Sequence, residues 1–153
     1  MGIKSFIGKR SKSEKRDSEQ IKVSDYMTKN LIVFNPKQSV LEVMNLLIKN
    51  RISGGPVVND NYELVGIISE GDCIKQITES RYYNQPIENI HVEEHMIKNV
   101  ETIKGDMNIF DAAEKFLSSK RRRFPIIEEG KLVGQISQKD ILKAALKLKG
   151  NSW

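Results

Sequence analysis

The chain has 153 residues, 39% apolar and 29% charged, with a formal net charge of +5 and a pI of about 9.3. These values suit one globular domain or two small ones, and no run approaches the roughly 20 apolar residues of a membrane span. The single cysteine, Cys73, rules out an internal disulfide, and an N-terminus without the apolar middle of a secretory signal points to a cytoplasmic location.

The charge is uneven. Residues 1–22 carry seven Lys/Arg against three acids, a net of +4, which leaves the remainder near neutral. A basic tail on a neutral body argues against nucleic acid as the body's partner. Residues 1–20 therefore read as a flexible basic tail with too little apolar surface to order itself. Ile3, Phe6 and Ile7 could line one short apolar face among Lys4, Lys9, Arg10 and Lys12. So small a face buries little area, so a solvated tail is the better reading than a membrane contact.

From Val23 the sequence repeats itself. Val23-Ser24-Asp25-Tyr26-Met27 matches Val92-Glu93-Glu94-His95-Met96 at an offset of 69. Short β-branched stretches follow, Leu31–Phe34 and Val100–Ile103, and read as strands. Ser39 and Asn108 then cap helices that carry an acid three residues on, Glu42 and Asp111. Apolar positions 40, 41, 43, 44, 47 and 48 recur as 109, 110, 112, 113, 116 and 117, the spacing of one buried helical stripe. Next come proline-marked strands, Gly55-Pro56-Val57-Val58 and Phe124-Pro125-Ile126-Ile127. Short turns lead to returning strands, Leu64–Ile68 and Leu132–Ile136. Each unit thus reads strand, helix, strand, strand, helix. The expected organisation is a tail (1–20), a first repeat (21–80), a linker (81–90), a second repeat (91–146) and a helical extension (147–153).

The last junction in each repeat carries the chemistry. Gly66-Ile67-Ile68-Ser69-Glu70-Gly71-Asp72 and Gly134-Gln135-Ile136-Ser137-Gln138-Lys139-Asp140 each stop a strand at a serine and restart as a helix. Serine followed by aspartate three residues later forms a capping box. The free N–H groups and positive dipole end of such a helix suit a phosphate, and the carboxylate suits a ribose diol. Two copies in matching contexts carry more weight than one.

With both copies aligned, the chain resembles a tandem pair of CBS (cystathionine-β-synthase) domains, a Bateman module. The resemblance covers about residues 21–146 and rests on Val-x-x-x-Met, the capped helix, the X-Pro-Val-Val or X-Pro-Ile-Ile strand and Gly-x-x-Ser-x-x-Asp, in that order, twice. It implies an α+β fold of two βαββα repeats, with three-stranded sheets packed in pseudo-twofold symmetry, and two clefts that bind an adenosine-containing ligand. AMP, ADP or ATP leads, with S-adenosylmethionine, NAD or a cyclic dinucleotide as further members of the class. Carried over to this chain, Asp72 and Asp140 hold the ribose, and Ser69 and Ser137 lie on the phosphate side. Val33 and Thr102 line the adenine slot, and Gly55, Pro56, Phe124 and Pro125 form the opposite wall. Arg123, with Arg122, serves the phosphate in the Asp72 cleft, while the Asp140 cleft faces Gly54 and is poorer in charge. The competing reading for these arginines is a solvated helix end.

No catalytic constellation stands out. His91-Val92-Glu93-Glu94-His95 spells H-x-x-E-H, a zinc-protease string. It falls on a repeat's opening segment, whose counterpart has no histidines, and these are the chain's only two, so no metal site is assigned. Cys73 sits at an apolar helix position and reads as core. The expected function is a non-catalytic sensor that needs no cofactor, forms a homodimer by stacking helical faces and signals to a protein effector. Ala144, Ala145, Leu146, Leu148 and Trp153 would contribute to that stacking. The alternative is a structural interaction module with empty clefts whose basic tail contacts membrane or nucleic acid.

Overall fold

A computed structural model describes residues 21–152, so the expected tail and Trp153 lie outside it. Among the described residues, four helices and four strands follow in order. α1 is Val40–Asn50, β1 Gly54–Val58, β2 Leu64–Ser69 and α2 Glu70–Tyr83, followed by α3 (Ile109–Ser119), β3 (Arg123–Glu128), β4 (Lys131–Ser137) and α4 (Gln138–Ser152). Single 3-10 turns mark Val23–Asp25, Ile87–Asn89 and Val92–Glu94. The expected α+β fold of two repeats is therefore present, with one antiparallel hairpin in each, β1–β2 and β3–β4, and the first strand of each βαββα unit reduced to a single bridge.

The chain divides into two compact units. Unit 1 takes its described residues from 21–29, 103–126 and 134–152, and unit 2 is formed by 30–102 and 127–133. In unit 2 the core is built from Phe34, Val40, Val43, Leu47, Val57, Ile68 and Cys73. Ser39 starts α1 by accepting the Glu42 N–H at 3.2 Å, and Asn108 starts α3 by accepting from Phe110 N–H at 2.7 Å. Val40, Val43 and Leu47 are buried in α1, as Ile109, Ala112 and Phe116 are in α3.

The expected stripe is narrower than its sequence pattern. Ile48 is 79% exposed and Leu117 is 84% exposed. At about 100° per residue, position 48 lies roughly 100° from the centre of the 40–43–47 line, past the edge of the buried face. Both residues are apolar, yet both face solvent.

The first strands also differ from expectation. Leu31–Phe34 and Val100–Ile103 form no strand; each makes one parallel bridge, Phe34 to Val57 and Ile103 to Ile126. The cause is proline. Phe34 N–H donates to Pro56 C=O at 2.9 Å, and Phe34 C=O accepts from Val58 N–H at 2.8 Å. The next rung upstream would need an N–H from Pro56, and the next downstream an N–H from Pro36; neither exists. Pro125 blocks the corresponding upstream rung beside Ile103.

On its other edge each hairpin accepts the opening segment of the other repeat. Ile67 and Ile97 exchange backbone bonds of 2.9 and 2.8 Å in unit 2, and Thr28 and Gln135 exchange bonds of 2.8 and 3.0 Å in unit 1. Val92 N–H reaches Gln38 C=O at 2.9 Å, as Val23 N–H reaches Met107 C=O at 2.9 Å. Val23 and Val92 are fully buried. The methionines of the Val-x-x-x-Met segments explain the glycine of each junction. A Cβ on Gly66 would lie 2.6 Å from Met96 Sδ, and one on Gly134 would lie 2.6 Å from Met27 Sδ. Each unit thus combines one repeat with the other's opening segment.

Candidate functional site

β2 and β4 alternate, with Gly66 and Ile68, and likewise Gly134 and Ile136, buried, while Ser69 and Ser137 sit half-buried at the strand ends. There the chain turns into a helix through the expected cap. Asp72 Oδ2 accepts from Ser69 N–H at 2.9 Å and from Ser69 Oγ at 3.0 Å, and Asp72 N–H donates to Ser69 Oγ at 3.5 Å. The second copy has the same three bonds at 2.8, 2.9 and 3.4 Å. In both, the cap uses Oδ2 alone, so Oδ1 takes no part in it. Asp140 is 7% exposed and Asp72 is half-buried. Each serine proton is committed to its own aspartate, and a serine donating to a phosphate would have to release that bond.

The remaining predicted residues divide between the units. Unit 2 holds Ser69, Asp72, Val33, Thr102, Gly55 and Pro56; unit 1 holds Ser137, Asp140, Arg122, Arg123, Phe124 and Pro125. Gly55, Pro56, Phe124 and Pro125 are buried. The Phe124 ring is fully enclosed, 4.7 Å from the Phe116 ring, with the Lys115 ammonium 5.7 Å away. Arg122 is exposed and Arg123, the first residue of β3, is half-buried. Thr102 lines a cavity of about 230 Å³ with Leu64, Val65, Lys98, Val100 and Ile127. That cavity opens at the start of β2, whereas Ser69 ends the strand five residues on, about 17 Å along it. Thr102 and Asp72 are therefore not neighbours within unit 2. Lys98 was not singled out by sequence, because its surroundings there carry no motif. Gln135 was also missed. It shares a strand face with Ser137, and its Oε1 is buried without a partner, but its counterpart in the first repeat is apolar Ile67.

Cys73, 3% exposed, is core as expected. Burial, reinforced by the Asp72 and Glu70 carboxylates, pushes its thiol from 9.0 up to about 11. Below pH 9 folded and unfolded thiols are both protonated, so this group then leaves stability unchanged. Between 9 and 11 the unfolded thiol ionises first and stability is lost. Cys73→Ala is expected to reduce the drop in melting temperature between about pH 8 and pH 10.5; an identical drop in both proteins contradicts this.

The H-x-x-E-H string forms a 3-10 turn of three residues, Val92–Glu94, with His91 and His95 as its caps. His95 Nδ1 lies in hydrogen-bonding contact with Nε2 of buried Gln76 on α2. Among the described residues, no group of three or more His, Cys, Asp or Glu could hold a metal ion, and no helix is long and apolar enough to cross a membrane.

Comparison with known proteins gives a consistent picture. The family described as "CBS domain" matches residues 23–79 and 92–147. The chloroplastic CBS domain-containing protein CBSX1 of Arabidopsis thaliana is 32% identical, over 83% of this chain and 65% of its own length. The chain thus spans just under two thirds of that relative. An uncharacterized protein of Methanocaldococcus jannaschii is 30% identical, over 85% of this chain and 94% of its own. The crystal structure of CBSX2 in complex with AMP aligns with a TM-score of 0.74 at 32% identity, covering 84% of this chain and 98% of that one. CBSX2 from Arabidopsis thaliana also aligns with a TM-score of 0.76 at 31% identity, covering 86% and 99%.

Proposed function

Because the chain belongs to the CBS domain family, as a non-catalytic tandem pair, we propose that it is a sensor of adenosine-containing nucleotides, with AMP, ADP or ATP as the ligand class. The ribose hydroxyls bind Asp72 and Asp140, each through the Oδ1 that its helix cap leaves over. Ser69 and Ser137 lie on the phosphate side, where the helix N-terminus favours negative charge. Arg122 and Arg123 supply cationic donors to the phosphate, since a guanidinium fork matches its oxygens at fixed geometry. Val33 forms part of the base slot; Thr102, at the opposite end of β2, is left out of it. The observation that carries this reading is the duplicated cap, in which two aspartates at matching helix starts spend only one carboxylate oxygen each. The AMP-bound state of the structurally similar CBSX2 supports the ligand class.

Ligand occupancy is transmitted by shifting the protein between arrangements for which the ligand has different affinity, in a homodimer read by a protein effector. A thermal-shift screen tests the ligand class. An adenine nucleotide at 100 times its dissociation constant stabilises the fold by about 2.7 kcal/mol, with GMP expected to give less. No shift with AMP, ADP, ATP, S-adenosylmethionine, NAD or a cyclic dinucleotide overturns the reading.

A further inference from the structure

Two positions in the repeats are built alike and filled differently. Ile67 in β2 exchanges backbone bonds of 2.9 and 2.8 Å with Ile97, and Gln135 in β4 exchanges bonds of 3.0 and 2.8 Å with Thr28. Each lies two residues before the capping serine and directly after the glycine that clears space for a methionine. Each is half-buried. An apolar side chain satisfies the fold at this place, as the first repeat shows. In the second repeat the same place holds an amide whose Oε1 is enclosed and has no hydrogen-bond partner. A buried oxygen without a donor is a cost that isoleucine avoids, so the packing gives no reason for glutamine here and the orphan calls for another.

Its neighbours supply one. Gln135 and Ser137 alternate to one face of β4, about 7 Å apart along the strand. Asp140 stands in the first turn of the helix that follows, and its cap with Ser137 uses Oδ2 alone. In the nucleotide reading above, on which this inference rests, a ribose held at Asp140 with its phosphate towards the helix start carries its base back along β4. We infer that Gln135 selects the base in the Asp140 cleft, its Oε1 accepting from the exocyclic amino group of a 6-aminopurine. The last torsion of a glutamine is broad, so the half-buried amide can turn its oxygen to a donor offered from the open side. A purine without that amino group leaves the oxygen orphaned, and a site built around a hydrogen bond rejects the analogue that lacks it. Beside Asp72 the equivalent position is Ile67, which offers no such acceptor.

Calorimetry on Asp72→Ala, in which Asp140 is the one junction aspartate left, tests this with AMP and purine riboside 5′-monophosphate. The two ligands differ only in the 6-amino group. AMP is expected to bind about tenfold tighter. Adding Gln135→Ile, the residue that the first repeat carries at this position, is expected to abolish that preference. Adding Gln135→Glu, which keeps an acceptor, is expected to retain it. A change that merely disturbs packing lowers both affinities together and leaves their ratio, so the ratio isolates the hydrogen bond. The inference is overturned if both ligands bind Asp72→Ala equally, if Gln135→Ile leaves the preference intact, or if Gln135→Glu loses it. In those three cases AMP still binds and the nucleotide reading stands. AMP binding to wild type but not to Asp72→Ala overturns the inference alone, and no AMP binding to either overturns both.

Discussion

Gly66→Val is expected to destabilise the protein by about 3 kcal/mol, and adding Met96→Ala is expected to recover a substantial part of that loss. A side chain at 66 begins with a Cβ placed 2.6 Å from Met96 Sδ and 2.9 Å from the Ile97 carbonyl oxygen. The sulfur can swing away at the cost of its packing; the carbonyl cannot, because Ile97 and Ile67 are tied by two backbone bonds. Truncating Met96 therefore relieves one of two clashes, and a coupling of about 1–2 kcal/mol should appear in the double-mutant cycle. Gly134→Val with Met27→Ala should behave alike, the second clash there being 3.0 Å to the Thr28 carbonyl. Urea unfolding of the single and double variants measures this. Additive losses, or a loss below about 0.5 kcal/mol for Gly66→Val, would show that the opening segments do not hold the hairpins as described.

The second large effect concerns the aspartates. Asp72→Ala and Asp140→Ala each remove a charged acceptor, and a hydrogen bond to a charged group is worth about 1.5–3 kcal/mol, or roughly 10- to 150-fold in affinity. They also remove the cap bonds, at about 1 kcal/mol of stability each. Ser69→Ala separates the two consequences. It loses the cap hydroxyl at a similar stability cost but leaves the Asp72 carboxylate in the chain, so AMP binding should fall far less than in Asp72→Ala. Calorimetry should further show that Asp72→Ala weakens AMP more than Asp140→Ala, and that Arg123→Ala erases the preference for AMP over adenosine. Equal AMP affinity in wild type and both aspartate variants removes the carboxylates from the site.

Much of this was legible in the sequence because it is local. Ser39, Asn108, Ser69 and Ser137 announce helix starts through bonds spanning two or three residues, and the order of elements repeats. What escaped depends on partners distant in sequence. The apolar pattern put Ile48 and Leu117 in the core, because hydrophobicity does not record how wide a stripe the neighbours cover. Leu31–Phe34 has the composition of a strand, but Pro36 and Pro56 remove the donors on either side of its single rung. The glycine of each Gly-x-x-Ser-x-x-Asp junction looked like part of a ligand motif, whereas the structure shows it clearing space for a methionine about 30 residues later or 107 earlier. Phe124 shows the limit of reading a site by position: its ring packs on Phe116 within the core.

The most direct test is a crystal structure of the protein grown with millimolar AMP. The account predicts density for a nucleotide whose ribose hydroxyls lie within hydrogen-bonding distance of Asp72 or Asp140, with Ser69 or Ser137 towards the phosphate. Water alone beside both carboxylates, or AMP bound elsewhere with both caps undisturbed, would contradict it.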